Sequence, residues 1–156
     1  MSTDVKPSAA KPIPTKPSLT LERRYNAPPA KVFSAWTDPK KLARWFCPVQ
    51  CAPMLAESDA RVGGRYRIVV RSQGGEEHDV SGTFREVVPD RKLVFTWAWR
   101  TTPERESLVT VELKRDGDGT LLTLTHEQFF DEAARDRHQS GWSPLLDRLN
   151  ETLPVL

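Results

Sequence analysis

The feature that most constrains this chain is an apolar stripe near its carboxyl end. His138, Trp142, Leu145, Leu149 and Leu153 recur at spacings of three and four, the interval that places side chains on one face of an α-helix. The spacing predicts a helix from about Asp131 to Leu153. A stripe of that length needs a broad apolar surface to lie against. Most of the chain between Cys51 and Glu127 supplies one, because it alternates apolar and polar residues as antiparallel strands do.

The alternation can be followed in order. Leu19 to Tyr25 reads as a first strand with Leu19, Leu21 and Tyr25 on one side. Pro28 and Pro29 open a short helix, where a first-turn proline loses no needed N–H, and Val32, Phe33 and Trp36 form its inner face. Asp38-Pro39 stops that helix and starts a second, which turns Leu42, Trp45 and Phe46 inward until Cys47-Pro48 ends it. An extended piece spans Cys51 to Glu57. In the next strand Tyr66, Ile68 and Val70 share the inner face, and Arg65, Arg67 and Arg71 a solvated outer one. Beyond a Gln73–Glu76 hairpin, Val80, Gly82 and Phe84 point inward. A glycine inside a strand marks a bend or a close backbone approach. Leu93, Phe95, Trp97 and Trp99 then make the heaviest apolar face. A polar loop from Arg100 to Glu106 leads to Val109, Val111 and Leu113, a tight turn at Asp116–Gly119, and a last strand with Leu122, Leu124 and His126 inward. One strand, two short helices, six strands and a long helix make an α+β domain rather than repeated βαβ units.

The first eighteen residues read differently. Pro7, Pro12, Pro14 and Pro17 recur there, three of them in Lys-Pro pairs, and the segment offers little to bury, so residues 1–18 are expected to be a disordered tail and residues 19–156 a single domain. The tail's Lys6, Lys11 and Lys16, less Asp4, account for the whole formal charge of +2. The rest is balanced, which argues against nucleic acid as a partner. No run is long and apolar enough to predict a membrane span. The tail lacks the apolar core of a signal peptide. Cys47 and Cys51 have no second Cys or His pair beside them, so free thiols in a reducing cytoplasm are expected, with no metal and no cofactor.

The order of elements resembles the helix-grip architecture of the START-related SRPBCC superfamily. Local wording is similar to its Hsp90 ATPase activator homologue family: Ala27-Pro28, Val32-Phe33-Ser-Ala-Trp36-Thr-Asp-Pro39, Trp45-Phe46, Arg61-Val-Gly63-Gly64-Arg-Tyr66, Gly82-Thr-Phe84, Leu93-Val-Phe95-Thr-Trp97, Gly119 to His126, and Gly141-Trp142 to Leu149. The resemblance covers Leu19 to Leu153. It implies a cavity between sheet and last helix, used across the superfamily for lipids, sterols, polyketides and other hydrophobic molecules. The cochaperone that names the family engages its chaperone through a separate amino-terminal domain. The eighteen-residue tail is too short for one, so the chain is not expected to stimulate that chaperone.

Three functions stay open at this point: a binder of a small hydrophobic molecule, a cochaperone, and a cyclase- or hydrolase-type enzyme using cavity histidines. The binder is favoured. The expected ligand contacts are Tyr66, Phe84, Phe95, Trp97, Trp99, His126, His138, Trp142 and Leu145, where wide aromatics and two histidines gather instead of interlocking aliphatics. No strand register places an arginine or lysine inward, so an uncharged guest is expected. His126 and Glu127 point to opposite faces and cannot act as a pair. Pro144 predicts a kink near Ser140 to Pro144, and Gly141 is expected to let the helix approach the sheet.

Overall fold

A computed structural model describes residues 16–47 and 52–156. The expectations for most of the Lys/Pro-rich tail, for Pro48 and for Cys51 lie outside those residues. Seven strands form one antiparallel sheet in the order β1-β7-β6-β5-β4-β3-β2. They are β1 (Leu19–Tyr25), β2 (Ala52–Ser58), β3 (Arg65–Arg71), β4 (Glu77–Val88), β5 (Lys92–Trp99), β6 (Ser107–Asp116) and β7 (Gly119–Glu127). Helices α1 (Pro29–Thr37) and α2 (Pro39–Trp45) follow β1, and the long helix α3 (Glu132–Thr152) follows β7. This is the helix-grip fold, with the sheet curved about α3. No described helix is long and apolar enough to cross a membrane.

Local chemistry sets the helix ends. Asp38 accepts a hydrogen bond from the Lys40 N–H at 2.8 Å, and Asp131 accepts one from the Ala134 N–H at 2.8 Å. Each carboxylate satisfies a donor that the first helical turn leaves without an intrahelical partner. Trp45 donates its indole N–H to the Ala35 carbonyl at 2.8 Å, which fastens α2 to α1. Tyr25 donates its hydroxyl to the Leu146 carbonyl at 2.9 Å and fastens β1 to α3. Outside, Arg67 pairs with Asp79 and Arg71 with Glu77 across β3 and β4, while Arg65 donates to the Thr83 hydroxyl at 3.1 Å.

The core runs the length of α3. Trp142, Leu145, Leu146, Leu149 and Leu153 are buried there against Tyr25, Val109, Leu122 and Leu124, as the stripe requires. The middle of α3 holds Pro144 and Gly141. The helix continues through Pro144 without interruption, and the carbonyl that proline leaves without a donor belongs to the exposed Ser140. Gly141 is exposed, and a methyl group there meets nothing within 4 Å, so it does not serve close approach to the sheet.

Gly82 does serve a close approach. A Cβ on Gly82 would lie 1.9 Å from the Thr96 carbonyl oxygen and 2.7 Å from the Tyr66 ring. The Tyr66 ring crosses this gap and its hydroxyl donates to the Thr96 carbonyl, while the Thr83 N–H bonds the Thr96 hydroxyl at 2.8 Å. Side chains here complete a β4–β5 ladder whose register shifts between Phe84 and Glu86. The backbone bonding of the domain also reaches back past Leu19, since the Phe129 N–H donates to the Pro17 carbonyl.

Candidate functional site

The inner face of β5 divides the interior at Trp97. On one side Trp36, Leu42, Phe46, Tyr66, Ile68, Phe84, Phe95 and Trp97 enclose a gap of about 20 Å³, too small for a guest. On the other side Trp97, Trp99, Thr101, Thr102, Arg105, Ser107, Phe129, Phe130, Ala134, Arg137 and His138 line a recess of about 240 Å³. It lies between the β5–β6 loop, the segment after β7 and the first turns of α3. A broader hollow of about 670 Å³ lies on the sheet's outer face among Glu86, Arg91, Lys92, Glu112 and Lys114. That hollow has no aromatic wall, and Lys92 and Glu86 already pair across it at 3.5 Å, so the aromatic recess is the better site.

The expected site residues separate accordingly. Trp97, Trp99 and His138 meet in the recess, while Tyr66, Phe84 and Phe95 border only the inner gap. Trp142 and His126 are buried behind Trp97, with the Trp142 ring centre 5.0 Å and the His126 ring centre 5.4 Å from that of Trp97. Leu145 lies in the core and touches neither space. The sequence reading missed Arg105, Arg137, Phe129 and Phe130. The first belongs to a loop and the second sits beside the apolar stripe, so strand register carries no information about either. The adjacent Phe129 and Phe130, just past a strand end, were a usable signal. The expectation that no basic side chain reaches the cavity does not hold for this recess.

Hydrogen bonding fixes the state of both histidines. An indole N–H only donates. Trp142 Nε1 lies 3.0 Å from His126 Nδ1, so that nitrogen accepts and carries no proton. His126 Nε2 therefore bears the hydrogen and donates to Ser107 Oγ at 2.7 Å, and the Ser107 hydroxyl donates on to the Trp97 carbonyl. Burial pushes the His126 pKa down to about 2, with the nearby His138 adding in the same direction. In His138 the order is reversed. Its Nδ1 donates to the Ala134 carbonyl at 2.7 Å, and its Nε2 accepts the Trp99 indole N–H at 2.9 Å. Burial lowers its pKa too, opposed by the Ala134 bond and reinforced by Arg137.

Both rings are thus neutral acceptors of an indole N–H. Ser107 lines the recess beside His126, yet the histidine nitrogen that faces it already holds a proton and cannot take another. The arrangement orients tryptophans rather than activating a nucleophile. Two other indole donors lack partners among the described residues: Trp97 Nε1 and Trp36 Nε1 are buried without a hydrogen bond. Each such donor costs about 1–3 kcal/mol until an acceptor reaches it. Among the described residues no three His, Cys, Asp or Glu side chains gather to hold a metal.

The family described as activator of Hsp90 ATPase homolog 1-like protein matches residues 26–154 of this chain. Protein CV1439 from Chromobacterium violaceum has a similar structure, with a TM-score of 0.80 and 27% identity, over 87% of this chain and 96% of that one. The AHSA1 protein from Silicibacter pomeroyi matches with a TM-score of 0.79 and 28% identity, over 89% of this chain and 99% of that one. The Mll3558 protein from Rhizobium loti is 33% identical with a TM-score of 0.71, over 87% of this chain and 96% of that one. No curated protein matches the chain.

Proposed function

The chain belongs to the activator of Hsp90 ATPase homolog 1-like family, and from that premise we propose that it binds a small hydrophobic molecule between the sheet and α3. Membership supports a ligand-binding domain or one like an Hsp90 cochaperone. The recess favours the first. The observation that carries the reading is an aromatic hollow whose inner wall includes Trp97, a residue whose buried indole N–H has no partner among the described residues. Ligand sites pair apolar walls with a few such polar groups, which fix a guest's orientation.

The guest packs against Trp97, Trp99 and His138, with Phe129 and Phe130 closing the other side. At about 240 Å³ the recess lies below the ~300–1,000 Å³ of drug-sized ligand sites. A compact guest of one or two rings fits it directly. A sterol or long polyketide needs Trp97 to turn aside and join the recess to the gap beside Tyr66, Phe84 and Phe95. Trp97 and Trp99 are natural reporters. Titration with fatty acids, flavonoids, sterols and small aromatics, followed by tryptophan emission, is expected to give saturable quenching for at least one class. If no class binds below ~100 μM, roughly −5.5 kcal/mol, the binder reading fails. A dose-dependent rise in Hsp90 turnover on adding the protein would then favour the cochaperone reading.

A further inference from the structure

Two arginines and no acidic residue line the recess. Arg105 comes from the β5–β6 loop and Arg137 from the early turns of α3. The Arg105 guanidinium carbon sits 3.9 Å from the centre of the exposed Phe130 ring. That stacking holds its planar donor fork at the rim instead of letting it range through solvent. Among the described residues the ion pair of Arg105 is a long one, 3.9 Å to its neighbour Glu104, and Arg137 makes none. In a domain whose acidic and basic residues otherwise balance, this is a local positive excess. The wall behind it is aromatic and includes Trp97, which is 4% exposed and whose indole N–H has no partner among the described residues.

These features specify more than hydrophobicity. Flat apolar walls set at right angles, as the 88° between Trp97 and Trp99 provides, suit a planar ring. Two arginines at the mouth, one held only by a long ion pair and the other by none among the described residues, suit an anion, and guanidinium pairs with carboxylate oxygens through parallel charge-assisted hydrogen bonds. The small volume limits the ring system. Resting on the binding reading above, we propose that the ligand is a small planar aromatic monocarboxylic acid. Its ring lies against Trp97, Trp99 and Phe129, and its carboxylate meets Arg105 and Arg137.

Calorimetric titration of the full chain with 2-naphthoate and with its neutral isostere 2-naphthamide tests this. The acid is expected to bind at least about tenfold more tightly, the scale of a charge-assisted over a neutral contact, and its affinity should fall as salt rises. In R105Q/R137Q the two probes should bind within about twofold of each other. Both side chains are exposed, so melting temperature should not move, and an unchanged melt separates lost recognition from lost folding. Equal binding of acid and amide overturns the carboxylate assignment while leaving the binder reading intact. A preference that survives in the double variant overturns the role of the arginines. Absence of binding by both probes overturns this inference, and the broader ligand panel decides the binder reading separately.

Discussion

Trp97 stands between two unlike regions built from the same kind of residue. Toward α2, wide aromatics close almost completely: Trp36, Phe46, Tyr66, Phe84 and Phe95 leave only about 20 Å³. Toward the start of α3, Trp99, Phe129 and Phe130 leave about 240 Å³. Aromatic content therefore does not decide whether an interior is open. The closed region is closed because Gly82 lets the Tyr66 ring cross the backbone, and because Trp36, Trp45, Phe46 and Trp142 meet edge-on or tilted at 4.8–6.0 Å. The recess has no such filler. Its walls are a strand end, a loop and a helix start, and its polar atoms hold the tryptophans in place.

The largest effect expected is at Gly82. A methyl group there collides with backbone and with Tyr66, neither of which can yield cheaply. Gly82→Ala should cost more than about 4 kcal/mol in chemical denaturation; a parent-like midpoint would mean that the closed region is looser than described. Trp142→Ala comes next, at about 3–5 kcal/mol, since it removes a buried ring and strips His126 of its donor. If this variant melts like the parent, the inward face of α3 is misassigned.

The histidines predict a smaller, pH-dependent term. An unfolded histidine takes up a proton below about pH 6.5, whereas the folded His126 resists protonation until about 2. The unfolded state thus binds the extra proton in this window. Stability is full above pH 6.5 and is lost as pH falls toward 2, by about 2 kcal/mol between pH 7 and pH 5 from His126. His138 adds in the same direction. His126→Gln keeps an acceptor for Trp142 and a donor for Ser107, so its stability should fall less steeply with acid than that of the parent. Parallel acid limbs would show that His126 does not carry this term. Smallest of all, Gly141→Ala should stabilise by about 0.5–1 kcal/mol, because the added methyl meets nothing. A loss there would mean that α3 lies closer to its neighbours than it does in this fold.

The closed region was legible in the sequence and the open one only in part. Period-two alternation and the helix stripe report which way a side chain faces, so Tyr66, Phe84, Phe95, Trp97 and Trp142 all read as inward. They do not report whether facing side chains meet. Whether Tyr66 fills a gap depends on Gly82 and on the register shift beside it, both long-range properties. Gly82 and Gly141 illustrate the limit: the first reads as a bend or a close approach and the second as a close approach, and only the strand glycine makes one. Arg105 and Arg137 escaped because loops and helix flanks carry no periodic signal. His126 and His138 both read as inward-facing, but their neutral, indole-accepting states follow from partners distant in sequence.

The most direct measurement is the set of five indole N–H signals in a proton–nitrogen NMR spectrum, followed during titration with 2-naphthoate. A guest in the recess should move the Trp97 and Trp99 signals saturably, with Trp97 gaining the shift of a newly hydrogen-bonded donor. The Trp45 signal, whose N–H is already held by the Ala35 carbonyl, should stay still. Shifts confined to Trp36 and Trp45, or no saturable shift from any aromatic probe, would contradict a binding site beside Trp97.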